Sequence, residues 1–218
     1  VGGVVEGVGR VAAGELANAF CFIGAGGHHA GRNFFGGYCC FNDVVIAVRH
    51  ARRTGRIRRV AILDTDAHHG DGTRDLVIDD PKVLHVCICS GDYTSPDGTK
   101  VDRAAPDPWT LDVSPDRAYL DLVQETFPSR AAEFCPDLAI WYFGFDGHRG
   151  DYGDNGLTAE AFLGVAAMMR EVAARACEGK LVVVLGGGSR RDLASALIPP
   201  VIACLAGGSL SKPEGSGA

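Results

Sequence analysis

The chain has 218 residues, with 46% hydrophobic and 22% charged side chains, the balance of one globular domain with enough apolar residues for a core. Thirty Gly and ten Pro exclude a coiled coil, no apolar run is long enough to span a bilayer, and a net charge of −6 argues against a dedicated nucleic-acid binder. The basic stretch from Arg52 to Arg59 reads as a solvated helix end and loop.

Apolar, β-branched runs alternate with helical patterns along the chain. The expected strands are Ala19–Ile23, Val60–Leu63, Val83–Cys89, Leu138–Phe143 and Leu181–Leu185, several of them apolar on both faces, as in a covered parallel sheet. The expected helices are Val4–Ala13, Asp43–Arg53, Arg117–Phe127, Ala159–Ala176 and Asp192–Leu205. Strand–helix alternation of this kind predicts α/β architecture with right-handed crossovers. Asp92–Pro115, rich in Asp, Pro and Gly, reads as one long loop. Residues 1–208 are expected to form the domain and 209–218, rich in Gly and Ser, a flexible tail.

A polar cluster follows each strand. These are Gly26-Gly27-His28-His29, the run Asp64 to His69, Ser90-Gly91-Asp92-Tyr93, Gly144-Phe145-Asp146-Gly147-His148, and Gly186-Gly187-Gly188-Ser189. Ligands of open parallel sheets sit outside the carboxyl ends of the strands, so all five clusters are expected on one rim.

The run Asp64 to Gly72 holds three Asp and two His in nine residues. Asp66 and His68 are two apart at a strand end, so both can face one side, and a carboxylate with an imidazole suits zinc. Asp146 ends another strand and can supply the third ligand. Two Asp and one His leave a fourth position for water, the mark of a catalytic zinc. Gly186-Gly187-Gly188 lacks the spacing of a phosphate loop and reads as a close approach of backbone to a ligand. Eight cysteines without a CxxC pair argue against a zinc ribbon, and a start lacking a basic secretory region points to a reducing, cytoplasmic setting.

Gly27-His28-His29-Ala30, Gly37-Tyr38-Cys39-Cys40-Phe41-Asn42-Asp43, Asp64-x-Asp66-x-His68-His69-Gly70-Asp71-Gly72-Thr73, Gly144-Phe145-Asp146-x-His148 and Leu185-Gly186-Gly187-Gly188 stand in this order. Together they resemble the zinc-dependent histone deacetylase family, which includes acetylpolyamine amidohydrolases and acetoin-utilisation-type proteins. The resemblance runs from about Gly3 to about Gly207. It implies an arginase/deacetylase-like three-layer α/β/α fold with an eight-stranded parallel sheet, and one zinc on Asp66, His68 and Asp146. It implies His29 as general base, paired with Asp71, and His28 as an electrostatic or acid partner, paired with Asp64. Gly37 would accept the substrate amide through its carbonyl, Tyr38 would line the acyl-lysine tunnel and Tyr93 its opposite wall, with Gly187 and Gly188 close to the substrate. The substrate would be an acyl-lysine or another acylated amine. A potassium ion near the zinc is implied too, with Cys87 where the family has Ser.

The chain departs from this pattern in three places. Ser189 stands where the family has a Tyr that stabilises the oxyanion, with Arg190 next to it as a possible substitute donor. Gly24-Ala25-Gly26 replaces the usual Arg-Pro-Pro. The family's N-terminal stretch is missing, so the chain reads as a fragment or as a smaller sheet with a more open mouth. The first departure leaves two readings open, a zinc-dependent deacylase and a catalytically weakened binder of acylated ligands. A two-metal, arginase-like site is disfavoured, because Gly70 and His148 occupy two positions where that branch has Asp.

Overall fold

The computed structural model describes residues 1–24 and 26–208, so the expected tail at 209–218 and Ala25 lie outside the described residues. In chain order the elements are α1 (Gly2–Ala12), β1 (Asn18–Cys21), α2 (Asp43–Arg53), β2 (Val60–Asp64), α3 (Asp71–Val77), β3 (Val83–Cys89), β4 (Tyr93–Thr94), β5 (Lys100–Ala104), α4 (Pro115–Thr126), α5 (Pro128–Phe134), β6 (Leu138–Phe143), α6 (Ala159–Ala176), β7 (Leu181–Leu185) and α7 (Arg191–Leu205).

Seven strands form one sheet in the order β1-β7-β6-β2-β3-β5-β4. Every pairing is parallel except that of β4 with β5. Successive strand residues point to opposite faces, and both faces are covered. Val60, Ile62, Ile140, Tyr142, Val182 and Val184 pack under α1, α2 and α3. Ala61, Leu63, Trp141, Phe143, Val183 and Leu185 pack under α4 to α7. The result is the three-layer α/β/α arrangement expected from the alternation of runs. The sheet is mainly parallel, as expected, and its strand number is corrected from eight to seven among the described residues, with β4 antiparallel.

The expected long loop at Asp92–Pro115 is corrected as well, because it contains β4 and β5. Strand β5 reads Lys-Val-Asp-Arg-Ala, which carries no apolar alternation. Lys100 is nonetheless fully buried. Its ammonium donates to the carbonyls of Asp80 (3.0 Å) and Val83 (2.8 Å) and to Thr99 Oγ1 (2.6 Å), so burial leaves no donor unmet.

The chain runs from β2 to β3 on one side, while β6 and β7 lie on the other side of β2. The crossovers therefore diverge between β2 and β6, and the crevice at their carboxyl ends is where an open α/β sheet takes its ligand. Asp64 and Tyr142 are register partners there.

The turn that carries His28 and His29 rests on the first turn of α3. The amide of Thr73 donates to the His28 carbonyl at 2.9 Å. A Cβ on Gly72 would lie 2.4 Å from the carbonyl carbon of Ala30 and 2.5 Å from that of His29. Both are backbone atoms with little room to move. Gly72→Ala is expected to cost about 1–3 kcal/mol and to displace this turn. Urea unfolding measures the cost, and an unchanged midpoint would mean that the turn relaxes freely.

Candidate metal centre and active site

The residues after β2 and β6 meet at the sheet rim. One ligand atom from each of Asp66, His68 and Asp146 lies within 4.8 Å of the others. His68 Nδ1 is 2.8 Å from Asp146 Oδ2 and 3.2 Å from Asp66 Oδ1. Asp66 is 2% exposed and Asp146 fully buried, so two carboxylates sit in a place that penalises negative charge. Hydrogen bonds to Asp146 and Asp66 push His68 up to about 10, the response of a ring placed between two anions. Burial pushes Asp146 up to about 6. This concentration of oxygen donors with one imidazole nitrogen fits a zinc ion.

Backbone amides hold the oxygens of the two carboxylates. The amides of His68 and Gly187 donate to Asp66 Oδ1 (3.0 Å) and Oδ2 (2.7 Å), and that of Ala67 donates to Asp146 Oδ1 (3.1 Å). Outer partners of this kind orient metal ligands. Gly187 permits the approach, since a Cβ there would stand 2.6 Å from Asp66 Oδ2 and 3.0 Å from Asp146 Oδ2. Gly188 has φ of +131°, and a Cβ on it would collide with the Phe145 ring at 2.3 Å.

The two neighbouring histidines sit in different surroundings. His28 Nδ1 is 2.9 Å from Asp64 Oδ2, and both side chains are almost wholly buried. The His28 ring stacks on Tyr142 with centroids 4.7 Å apart. Burial acts to lower His28, but the Asp64 carboxylate and its hydrogen bond outweigh it and raise the ring to about 9. His29 Nδ1 is 2.6 Å from Asp71 Oδ1, and its side chain is 19% exposed. The Nε2 end of His29 abuts Gly37, whose missing Cβ would lie 2.9 Å from it.

A cavity of about 590 Å³ opens above these groups, lined among others by His28, His29, Gly37, Tyr38, Asp66, His68 and Gly187. Tyr38 is nearly fully exposed at its wall and has φ of +64°, a left-handed conformation unusual for a bulky residue. Tyr93 is not brought to this cavity. It lies on β4, its ring 5.5 Å from the Arg74 guanidinium, and this corrects its expected place in the opposite wall. The Cys87 thiol lies beside His69, Cys89 and Asp102, and 4.0 Å from the His68 carbonyl.

Ser189 borders the cavity with its hydroxyl committed elsewhere. Its Oγ donates to Asp151 Oδ1 at 2.7 Å, and its amide and that of Arg190 donate to the same carboxylate. The Arg190 guanidinium pairs with Asp192. The residue that sequence reasoning missed is Tyr152, on the same loop as Asp151. Its ring stacks on His68 with centroids 5.3 Å apart, and its hydroxyl oxygen accepts the Gly188 N–H at 3.1 Å. The spot a Gly187 Cβ would fill lies 2.7 Å from that hydroxyl and within 3.0 Å of both ligand carboxylates. Burial and the Asp146 carboxylate raise the Tyr152 phenol, so it keeps its proton near neutrality. The signal was a hydroxyl-bearing ring six residues after Asp146, at the same strand end.

Among the described residues the eight cysteines are unpaired, and no helix is long and apolar enough to cross a membrane.

Residues 1–205 match the sequence family described as histone deacetylase domain. The chain is 32% identical over 209 residues to histone deacetylase clr3 of Schizosaccharomyces pombe, covering 88% of this chain and 30% of that protein. It is 31% identical over 209 residues to histone deacetylase 9 of Homo sapiens, covering 86% of this chain and 20% of that protein. The solved HDA15 HD domain superposes with a TM-score of 0.80 at 27% identity, covering 96% of this chain and 62% of that one. An acetylpolyamine aminohydrolase from Burkholderia pseudomallei superposes with a TM-score of 0.80 at 24% identity, covering 95% and 61%, a likeness of fold. The chain thus spans under a third of these curated relatives and under two thirds of the solved domains. With a match running through nearly the whole chain and an arginase/deacetylase-like α/β sheet beneath it, the chain belongs to the histone deacetylase domain family of deacetylase-type hydrolases.

Proposed function

We propose that the chain is a zinc-dependent amidohydrolase that removes an acyl group from acyl-lysine or an acetylated small amine, with Asp66, His68 and Asp146 holding one metal ion. The observation that carries this reading is one cavity lined by His29, Asp66 and His68, with Asp71 held against His29 and the buried Asp146 against His68. When bound, zinc supplies Lewis-acid polarisation of the acyl carbonyl and acidifies water to a pKa of about 7.

The protein's own groups do the rest. His29, its Nδ1 fixed by Asp71, takes the water proton at Nε2 and passes it to the leaving amine as the C–N bond breaks. His28, raised by Asp64, places positive charge behind that ring. The Gly37 carbonyl accepts the substrate amide N–H, and Tyr38 flanks the entering chain. Gly187 and Gly188 line the cavity where the acyl group would lie, with Gly187 against the Asp66 and Asp146 carboxylates. Tyr152, its oxygen already anchored on the Gly188 amide, donates its O–H to the developing oxyanion in place of the family Tyr. A net charge of −6 and unpaired cysteines favour a small acylated ligand over nucleic acid and a reducing, intracellular setting.

The commitment of Ser189 to Asp151 favours a second reading, a binder of acylated ligands with little turnover. Hydrolysis assays on zinc-loaded protein with acetyl-lysine, trifluoroacetyl-lysine and acetylated polyamine separate the two. The hydrolase reading expects turnover of acetyl substrates, with Tyr152→Phe lowering kcat/KM on acetyl-lysine ~10²–10³-fold, the usual cost of one oxyanion donor. The loss should be smaller on the electron-poor trifluoroacetyl group, and Ser189→Ala should change little on either. Tight binding of both peptides without hydrolysis of either would establish the binder.

A further inference from the structure

Four donors outside the cleft converge on the far side of the β2–α3 connection. Cys87 and Cys89 occupy alternate positions of β3 and so face one side of the sheet. Asp102 on β5 is the register partner of Cys87, and His69 comes from the segment between β2 and α3. His69 Nδ1 is 3.4 Å from Cys89 Sγ and 3.7 Å from Asp102 Oδ1. One ligand atom from each of the four lies within 4.8 Å of the other three. Donors around tetrahedral zinc, with bonds of about 2.0–2.3 Å, are separated by roughly 3.3–3.8 Å. The cluster therefore has two separations in that range, and its longest needs a contraction of at most about 1.5 Å.

We propose that His69, Cys87, Cys89 and Asp102 form a second metal site, a closed sulfur-containing site for zinc, separate from the Asp66–His68–Asp146 centre. Cys87 is fully buried, and Cys89 and Asp102 are under 10% exposed. The His69 side chain, 35% exposed, gives an ion a way in. Thiolate ligands select zinc over magnesium or calcium. Binding releases the two thiol protons. Two thiolates and one carboxylate then balance the divalent ion and the Arg74 guanidinium, so the buried group carries no net charge.

Arg74 fits the role of an outer partner. It donates to Asp102 Oδ1 (2.6 Å) and Oδ2 (3.1 Å), leaving each oxygen a lone pair, and its Nε donates to His85 Nδ1 at 3.2 Å. Four protein ligands leave no open position, so the site is structural. It ties β3, β5 and the segment after β2 together, and His69 is the chain neighbour of His68.

The test is metal content and zinc-edge X-ray absorption on the full chain purified under reducing conditions. Two zinc ions per chain are expected, with a sulfur shell near ~2.3 Å. Cys87→Ser/Cys89→Ser should hold one zinc and lose the sulfur shell, while Asp146→Asn should hold one zinc and keep it. One zinc per wild-type chain bound through nitrogen and oxygen only would overturn the site, and that reading needs no variant to fold. Sulfur ligation without hydrolysis would remove the amidohydrolase reading and leave this one standing. Hydrolysis without sulfur ligation would do the reverse.

Discussion

Asp146→Asn is expected to bring acyl-amide hydrolysis below detection, a fall of at least ~10⁴-fold, because the loss of a ligand costs more than the 10–100-fold typical of losing an outer partner. The substitution is nearly isosteric. An asparagine oxygen can still accept the Ala67 amide that now meets Asp146 Oδ1 at 3.1 Å, so the loop after β6 has no reason to move. What disappears is one of two buried negative charges that offset a cation at this spot. The effect should therefore appear as lost zinc with an unchanged circular dichroism spectrum. Zinc content should fall by one ion per chain. A variant that keeps its full metal and its turnover would remove Asp146 from the ligand set.

The parts of this centre were legible in the sequence to different degrees, for physical reasons. Strands β3, β6 and β7 and helices α2 and α6 have the expected bounds because each is a short apolar run or a helical repeat closed by a cap or turn residue. Asn42 and Thr158, for example, cap α2 and α6 through their side chains. Strand β1 ends two residues early, where Phe22 and Ile23 leave the sheet to line the cavity. Strand β5 was hidden because its buried Lys100 and Asp102 are satisfied by carbonyls and by Arg74, which come from elsewhere in the chain. The same reasoning applies to the site. Asp64, Asp66, His68 and Asp71 announce themselves by lying within eight residues of one another. Tyr152, the Asp151–Ser189 bond and the His69–Cys87–Cys89–Asp102 cluster depend on which loops the sheet order makes neighbours. No spacing within a single segment encodes that order.

The neighbouring histidines give the sharpest separation of chemistry from stability. His29→Ala is expected to lower kcat ~10²–10⁴-fold, the range set by a positioned general base, with little change in unfolding free energy. The reason lies in its surroundings: its partner Asp71 has a half-exposed side chain, so water can replace the lost bond. His28→Ala should behave in the opposite sense. Its partner Asp64 is 1% exposed, and removing the ring strands that carboxylate and empties the space stacked on Tyr142. Breaking one side of a buried pair costs about 3–5 kcal/mol, so this variant should unfold at clearly lower urea. Asp71→Asn should follow His29→Ala in kind but to a smaller degree, since an amide oxygen can still receive the Nδ1–H. Single-turnover rates and urea midpoints on the three variants decide the matter. If His29→Ala lost stability and kept its rate, the proton-transfer role would pass to another group, and His28 is the ring next to it, with centroids 4.1 Å apart.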